Sequence, residues 1–578
     1  MQPVDLTTLR AALAELQAEW IPARCEGITQ RDRDTLVLRL RTLAQRGSLT
    51  LAWHPQAARL CLGDPPAREA ARSLLGERLR QQLPGLALQA IEPLDPWERV
   101  VDLRFAYRPA DPTLWHLYAE VLGKHSNAIL ADAEGTIAAV ARPIGAQASG
   151  YRVLQAGERY EPPPPLLAAA PSLQEPYERW RERVGLVPGS IQRRLLASYR
   201  GLSPGLASVM LAVAGVDAQQ SSAELSEQAW QRLFQAWGQW LRALEAAQFE
   251  PGWTESGYTV LGWAALAPAA DVQTLLHQYY TAALARQDCQ RLHRQLAQTV
   301  ERWQRKLRQR IANYSERLQQ AQAAETDRQQ ADLLMAYAHA CQPGQKAVAL
   351  PDFETGDPVT VALDPDKTIV QNAQQLYQRH RKRKRARQAV EPLLAAARQE
   401  LAYLERVGTT LAQLSCDGPE RDLTVLAEIR EELHQQRYLR ASASRSQPHE
   451  ASQPDCYRTP SGFEVLVGRN NRQNDRLAFY TASDYDLWFH AQQAPGSHVL
   501  LRLPPGAAPD ASDLQFSADL AARYSQGEDS DQVPVACTQP QHLNKPKGAR
   551  PGMVVYTNER ALWGNPQQAR HYRRAAPE

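Results

Sequence analysis

The sequence contains no run of about 18 apolar residues, so nothing in it reads as a membrane span. Its start, MQPVDLTTLRAALAELQAEW, puts Asp5, Arg10 and Glu15 where a secretory leader needs an apolar centre, which predicts a soluble, cytoplasmic protein. Neither sign of charge is in excess. With 66 Lys and Arg against 63 Asp and Glu the net charge is +3, so affinity for nucleic acid has to come from local patches. The seven cysteines, at 25, 61, 289, 341, 416, 456 and 537, include no C-x-x-C pair. That scatter predicts reduced thiols rather than disulfides, and no structural zinc. No structural metal and no cofactor are expected, and residues 457–578 contain neither a Gly-rich phosphate loop nor an H-E-x-x-H helix.

A chain of 578 residues is too long for one core and predicts a multidomain α+β protein. Apolar residues from Leu6 to Leu16 recur at helical spacing, and the runs DTLVLRL, SLTLAW, RLCLG, LALQAI, RVVDLRF and NAILAD read as strands. They predict an α+β domain over 1–165, closed by the proline run YEPPPP. Residues 166–270, rich in Ala, Leu, Gln and Trp, predict a helical bundle. Within it, GLSPGLASVMLAVAG (201–215) resembles a helix-hairpin-helix motif, in which a turn opens a helix whose bare N–H groups favour an anion. Ser203 stands where a second glycine is usual, and a plain connector between packed helices fits the stretch equally.

Residues 271–440 predict a long antiparallel coiled coil. Cys289, Leu292, Leu296, Val300, Trp303, Leu307, Ile311, Tyr314 and Leu318 follow spacings of three and four, and Val390, Leu394, Ala397, Leu401, Leu404 and Leu411 do so on a returning helix drawn from about Asp366 to Leu439. Each helix would extend roughly 100 Å at about 1.5 Å per residue. Between them, KAVALPDFETGDPVTVAL predicts a β-hairpin tip at about 340–365. The returning helix starts with QRHRKRKRAR (378–387), whose cations cover every face; a solvated helix and an acidic partner are both open readings. A linker over 441–456 leads to an α+β module over 457–578. There FEVLV is followed by GRNNRQNDR, whose asparagines suit a tight polar turn and whose arginines suit phosphate and base edges.

Three separated stretches together resemble the NFACT family of ribosome quality-control factors. They are EVLGKHSNAIL (120–130), LDPDKTIVQNAQQLYQRHRKRK (363–384), and the set GRNNRQND (468–475), DLWFHAQQAPGSHVLL (486–501) and KPKGARPGMVVY (545–556), found in the family's order along nearly the whole chain. The resemblance implies a non-enzymatic RNA-binding protein that acts on a split large ribosomal subunit still holding peptidyl-tRNA. There it recruits alanyl-tRNA so that the stalled chain gains a carboxy-terminal alanine tail, with peptide-bond formation left to the ribosome. The expected partners are ribosomal RNA, a stalk-base protein touched by the rod tip, and tRNA, with the protein monomeric on the ribosome and no membrane involved. Relatives have also been labelled fibronectin-binding proteins; with no export signal or wall anchor legible here, a surface adhesin is disfavoured.

The family's tRNA-contacting residues, an acid near the start and an Asp-Arg pair before a strand, fall on Asp5 and on Glu98-Arg99, where glutamate replaces the aspartate. Without the resemblance, Arg99 reads as a surface ion pair with Glu98 or Asp102. Further RNA-binding candidates are Lys124, His125, Asn127, Arg381, Lys382, Arg383, Lys384, Arg469, Asn470, Asn471, Arg472, Asn474, Arg476, His498, Lys545 and Lys547. Trp488, His490 and His498 are available to stack or bond beside RNA at 469–476, although Trp488 suits a core better than a base platform. His125 and Ser126, read as strand neighbours, point to opposite faces and cannot form a relay. The family's amino-terminal portion also looks like formamidopyrimidine-type DNA glycosylases. Those use an amino-terminal proline amine and a zinc finger, whereas here Gln2 holds the first position, Pro3 is displaced and no cysteine set suits zinc. The alternative on that side is a catalytically inactive DNA-binding protein.

Overall fold

The computed structural model describes residues 1–65, 72–145, 147, 152–164, 167–342, 344–440 and 451–575. The chain divides into two compact units, Met1–Leu284 and Ala285–Glu578. Among the described residues no helix is long and apolar enough to cross a membrane.

The first unit opens with α1 (Leu6–Trp20), capped by the Asp5 carboxylate on the Thr8 N–H, and continues through β1 (Ala23–Asp32), β2 (Thr35–Arg41), β3 (Arg46–Ala52), β4 (Arg59–Gly63) and α2 (Leu74–Gln82). Then come β5 (Ala87–Pro93), β6 (Val100–Ala106), β7 (Trp115–Glu120), β8 (Asn127–Asp132) and β9 (Ile137–Val140). These nine strands form one antiparallel sheet in the order β4-β3-β2-β1-β5-β6-β7-β8-β9. Leu9, Leu13 and Leu16 of α1 pack on Leu38, Leu51, Leu88 and Leu103 of the sheet in one core. All six strand-like runs of the sequence are strands here. Four shorter helices follow: α3 (Tyr177–Gly185), α4 (Ile191–Ser198), α5 (Pro204–Val213) and α6 (Glu227–Ala246). They bury Trp180, Trp230, Trp237 and Trp240 in a second core. A small sheet of β10 (Gly252–Trp253), β11 (Tyr258–Thr259) and β12 (Ala267–Pro268), not expected from the sequence, precedes α7 (Val272–Gln322).

In the second unit, α8 (Ala324–Ala336) leads to a hairpin of β13 (Ala347–Pro351) and β14 (Pro358–Ala362), as the alternation predicted. Leu333, Leu334, Leu350, Val361, Ala373 and Leu376 form the small core beneath it. The returning helix is broken. It runs as α9 (Ile369–Ala412), about 66 Å at roughly 1.5 Å per residue, then turns at 413–418 into α10 (Pro419–Gln435). Pro419 at the first position of α10 fits that restart, because a helix start needs no N–H there. Leu296, Val300 and Leu307 of α7 pack with Leu404, Val407 and Leu411 of α9 and Leu426, Ile429 and Leu433 of α10.

Cys289 on α7 and Cys416 in the 413–418 turn are joined as a disulfide, with Cα atoms 5.9 Å apart. This overturns the expectation of seven reduced thiols. Spacing along the chain carries no signal for a pair separated by 127 residues.

Residues 441–450 of the expected linker lie outside the described residues. Its end is anchored: the Ser452 N–H donates to Glu428 of α10 at 2.8 Å. The last domain holds β15 (Asp455–Arg458), β16 (Glu464–Val467), α11 (Asn471–Arg476), β17 (Leu487–Ala491), β18 (Val499–Leu501), α12 (Ala511–Arg523) and β19 (Val533–Thr538). A short pair, β20 (Leu543–Asn544) and β21 (Val555–Tyr556), then β22 (Arg560–Gly564) and α13 (Pro566–Ala569), complete it. Its six-stranded antiparallel sheet runs β15-β16-β18-β17-β19-β22. Phe516 and Leu520 of α12 cover one face, against Val465, Phe489, Val499 and Val535.

Candidate nucleic-acid interface

Asp5, Glu98 and Arg99 come together in the first unit although Asp5 is more than ninety positions away in the chain. One Asp5 oxygen caps α1 at 2.9 Å from the Thr8 N–H. The other accepts from the Ser203 hydroxyl at 2.7 Å, while Ser203 itself caps α5 through the Leu206 N–H at 3.0 Å. The anion that the helix-hairpin-helix reading assigns to this helix start is thus matched by a carboxylate of the chain itself. Gly201, at φ +84°, makes the approach possible: a Cβ there would stand 2.7 Å from Leu6 and 2.8 Å from Trp97.

Arg99 lies against this corner and donates to the Val4 carbonyl at 3.3 Å. Of the two partners expected for it from sequence alone, Asp102 is engaged elsewhere, with His116 at 3.0 Å. Burial pushes the Arg99 pKa down, and the Asp5 and Glu98 charges act the other way. Arg200 approaches Asp95 at 3.8 Å and Glu98 at 3.9 Å. A guanidinium offers the forked N–H donors that a phosphate or a base edge can accept.

Lys124 and His125 are exposed, but on a short turn, Gly123–His125, rather than a strand. Ser126 is fully buried and accepts the Leu122 N–H at 2.8 Å, so no relay with His125 exists. Asn127 is also buried, donating to the Arg142 carbonyl at 2.8 Å. Gln2 is tied down on three sides, with its N–H on the Tyr279 hydroxyl at 2.6 Å, its amide on the Tyr258 carbonyl at 3.0 Å, and its carbonyl accepting from Tyr280 at 2.7 Å.

In the second unit the basic start of α9 is mostly free. Arg381, Lys382 and Lys384 are exposed, whereas Arg383 pairs with the buried Asp327 of α8. Both open readings of this run therefore hold, for different residues.

The stretch GRNNRQNDR behaves differently from its RNA-facing reading. It is not a hairpin turn but the capped start of α11, and most of it faces inward. Asn470 caps α11 on the Gln473 N–H at 2.9 Å and donates to Glu428 at 2.6 Å. Asn471 donates to Glu432 at 2.9 Å, and Asn474 accepts the His498 N–H at 3.1 Å. Arg469, 8% exposed in its side chain, is bonded to Asp422 and lies 3.6 Å from Asp455. Arg472 reaches Gln435 at 2.9 Å. Four candidates, Asn470, Asn471, Asn474 and His498, are thus buried; Arg469, Asn470 and Asn471 hold the sheet domain onto α10, and Asn474 and His498 bond each other. The physical reason is that a helix start and a row of buried carboxylates on α10 need as many donors as an RNA would. Glu432 is such a carboxylate, with its pKa raised by burial and lowered in turn by Asn471 and Tyr403.

Arg476 and Lys547 remain exposed, and Lys545 is exposed beside Asp475. Trp488 is buried at 1%, stacked on His490 with centroids 5.6 Å apart, so it is core. Burial and the Arg406 charge push His490 down to about 4, and His498 is lowered by burial and by His490. Both rings are neutral at pH 7.

Residues 5–452 match the NFACT N-terminal and middle domains, and residues 457–549 match the NFACT protein RNA binding domain. The chain is 29% identical over 566 residues to the Rqc2 homolog RqcH of Streptococcus pneumoniae and 26% identical over 573 residues to that of Bacillus subtilis, covering 96% of both chains in each case. Among solved structures, the C-terminal part of the fibronectin/fibrinogen-binding protein from Streptococcus suis is 29% identical, with a TM-score of 0.38, covering 48% of this chain and 95% of that one. With both of its domain families matched in order over most of its length, the chain belongs to the NFACT family.

Proposed function

We propose that this protein is a cytoplasmic, non-catalytic ribosome quality-control factor that binds the split large ribosomal subunit carrying peptidyl-tRNA. In this reading it recruits alanyl-tRNA, and the ribosome adds alanines to the stalled chain. The observation that carries the reading is the full-length similarity to relatives named RqcH, with both NFACT domain families in order. The geometry supports a division of labour. The Asp5–Glu98–Arg99 corner is built for one oriented contact with tRNA, supported by α4–turn–α5 acting as a helix-hairpin-helix. Exposed cations at Lys124, Arg381, Lys382, Lys384, Arg476, Lys545 and Lys547 supply phosphate contacts to ribosomal RNA. The α7 and α9 helices act as an antiparallel coiled coil that offers the β13–β14 tip, with Phe353 exposed, to a stalk-base protein.

The test is sedimentation of the purified protein with large subunits, whole ribosomes and duplex DNA. Preferential recovery with large subunits is expected, and tRNA should travel with that complex. Preference for duplex DNA would overturn the reading in favour of an inactive glycosylase-like binder.

A further inference from the structure

The disulfide stands at an unusual point in the fold. Cys289 and Cys416 are both buried, at 0% and 3% exposure, and they tie α7 to the turn where α9 gives way to α10. Cys416 sits in left-handed backbone, φ +59°, a conformation that a non-glycine residue holds only when its surroundings impose it. Its N–H donates to Asp422 Oδ2 at 3.0 Å. The other Asp422 oxygen takes Arg469, which also faces Asp455, and Asp455 takes Arg421 at 2.7 Å and Arg574 at 3.0 Å. The sulfur bridge is therefore one carboxylate away from the charge cluster that docks the carboxy-terminal sheet on α10.

We propose that Cys289 and Cys416 are a reversible dithiol–disulfide switch that sets how firmly the carboxy-terminal domain is held against α10. The oxidant is a peroxide. Cys416 lies in a turn between exposed Ser415 and Asp417, so local opening presents it first. Its thiolate attacks hydrogen peroxide, an S–O bond forms, the O–O bond breaks and hydroxide leaves, giving a sulfenic acid. Cys289 then attacks that sulfur, the S–S bond forms and the S–O bond breaks. Two electrons pass from two thiols to the peroxide, which leaves as two waters. A small dithiol reverses the step by exchange through a mixed disulfide.

The oxidised clasp fixes the 413–418 turn and with it the Cys416 N–H that positions Asp422. In the reduced form that N–H is free to move, and Asp422 holds Arg469 less firmly. A metal reading fits less well. The ligand atoms of Cys289, Cys416 and Asp422 lie within 4.8 Å of one another, but a closed tetrahedral site needs four ligands and both Asp422 oxygens are already engaged.

The test uses the full-length protein. It is reduced, treated with hydrogen peroxide or left untreated, trapped by alkylation and mapped by peptide mass, with hydrogen exchange followed in parallel. The expected result is a 289–416 cross-link and exchange at 413–422 and 455–476 slowed by about tenfold against the reduced form. Cys289→Ser should abolish both effects, and Cys341→Ser neither. If the serine variant does not fold, the reduced and alkylated wild type gives the same comparison. Free thiols at both positions after peroxide, equal exchange in the two forms, or a metal ion retained on the reduced pair would each overturn the proposal.

Discussion

Replacing Arg469 by alanine separates two roles that the sequence leaves superimposed. As an RNA ligand, Arg469 would contribute one phosphate contact, and its loss would lower the slope of log affinity against log salt by about 0.7–0.9 while leaving stability within about 0.5 kcal/mol. The structure gives it a different burden. Its guanidinium bonds Asp422, which also accepts the Cys416 N–H, and lies against the 1%-exposed Asp455. Removing one member of such a buried cluster costs about 3–5 kcal/mol, because the carboxylate left behind keeps its desolvation penalty. Asp455 retains Arg421 and Arg574, so the lower end of that range applies.

About 3 kcal/mol corresponds to exchange faster by roughly a hundredfold in segments whose opening requires the docking to break. Native-state hydrogen exchange of β15, β16 and α11 is the assay, since global unfolding of a chain with several cores is not two-state. Arg469→Lys keeps the charge but loses the planar fork, and should fall between. Unchanged exchange in Arg469→Ala together with a reduced salt slope for RNA binding would refute the docking assignment.

Reversing charge at Arg381, Lys382 and Lys384 should lower the salt slope of large-subunit binding by about 2–3 without loss of stability; Arg383→Glu should instead destabilise the α8–α9 pair, because Asp327 loses its partner, and thermal unfolding distinguishes the two. Arg99→Ala should remove tRNA from purified subunit complexes yet spare subunit sedimentation, and tRNA recovery equal to wild type would refute that assignment. For His490, the folded pKa of about 4 lies below the ordinary 6.5, so between those values the unfolded chain binds more protons. Its contribution to stability is complete above about pH 6.5 and declines as pH falls toward 4; a His490→Gln variant should flatten that part of the curve in native-state hydrogen exchange of β17.

What the sequence disclosed followed the strength of local periodicity. Six strand runs and α1 were legible because alternation and helical spacing are written in adjacent residues. β1 was missed because ARCEGITQRD interrupts its alternation with Glu26 and Gly27, where the pairing with β2 also slips. The break between α9 and α10 was missed although SCDGPE contains it, since the apolar spacing resumes beyond the turn. The Cys289–Cys416 pair had no local signature at all. Of the site, the Glu98–Arg99 pair was found only through a family likeness; its link to Asp5 and Ser203 depends on the hairpin folding back against α1, which spacing does not encode.

The GRNNRQND stretch shows why a motif and a binding surface need not coincide. Asparagine at a helix cap and arginine between two buried carboxylates are both demanded by the docking of β16 and α11 on α10. A stretch under such constraints marks a position in the fold. Contacts with RNA carry no comparable internal requirement. In the function proposed above they fall to side chains such as Arg476, Lys547 and Lys382, whose charges the fold leaves facing solvent and whose order along the chain forms no compact signature. Within the carboxy-terminal domain, therefore, substitutions in the motif should act on stability and substitutions around it on RNA affinity, and a variant set scored for both quantities separates the two classes.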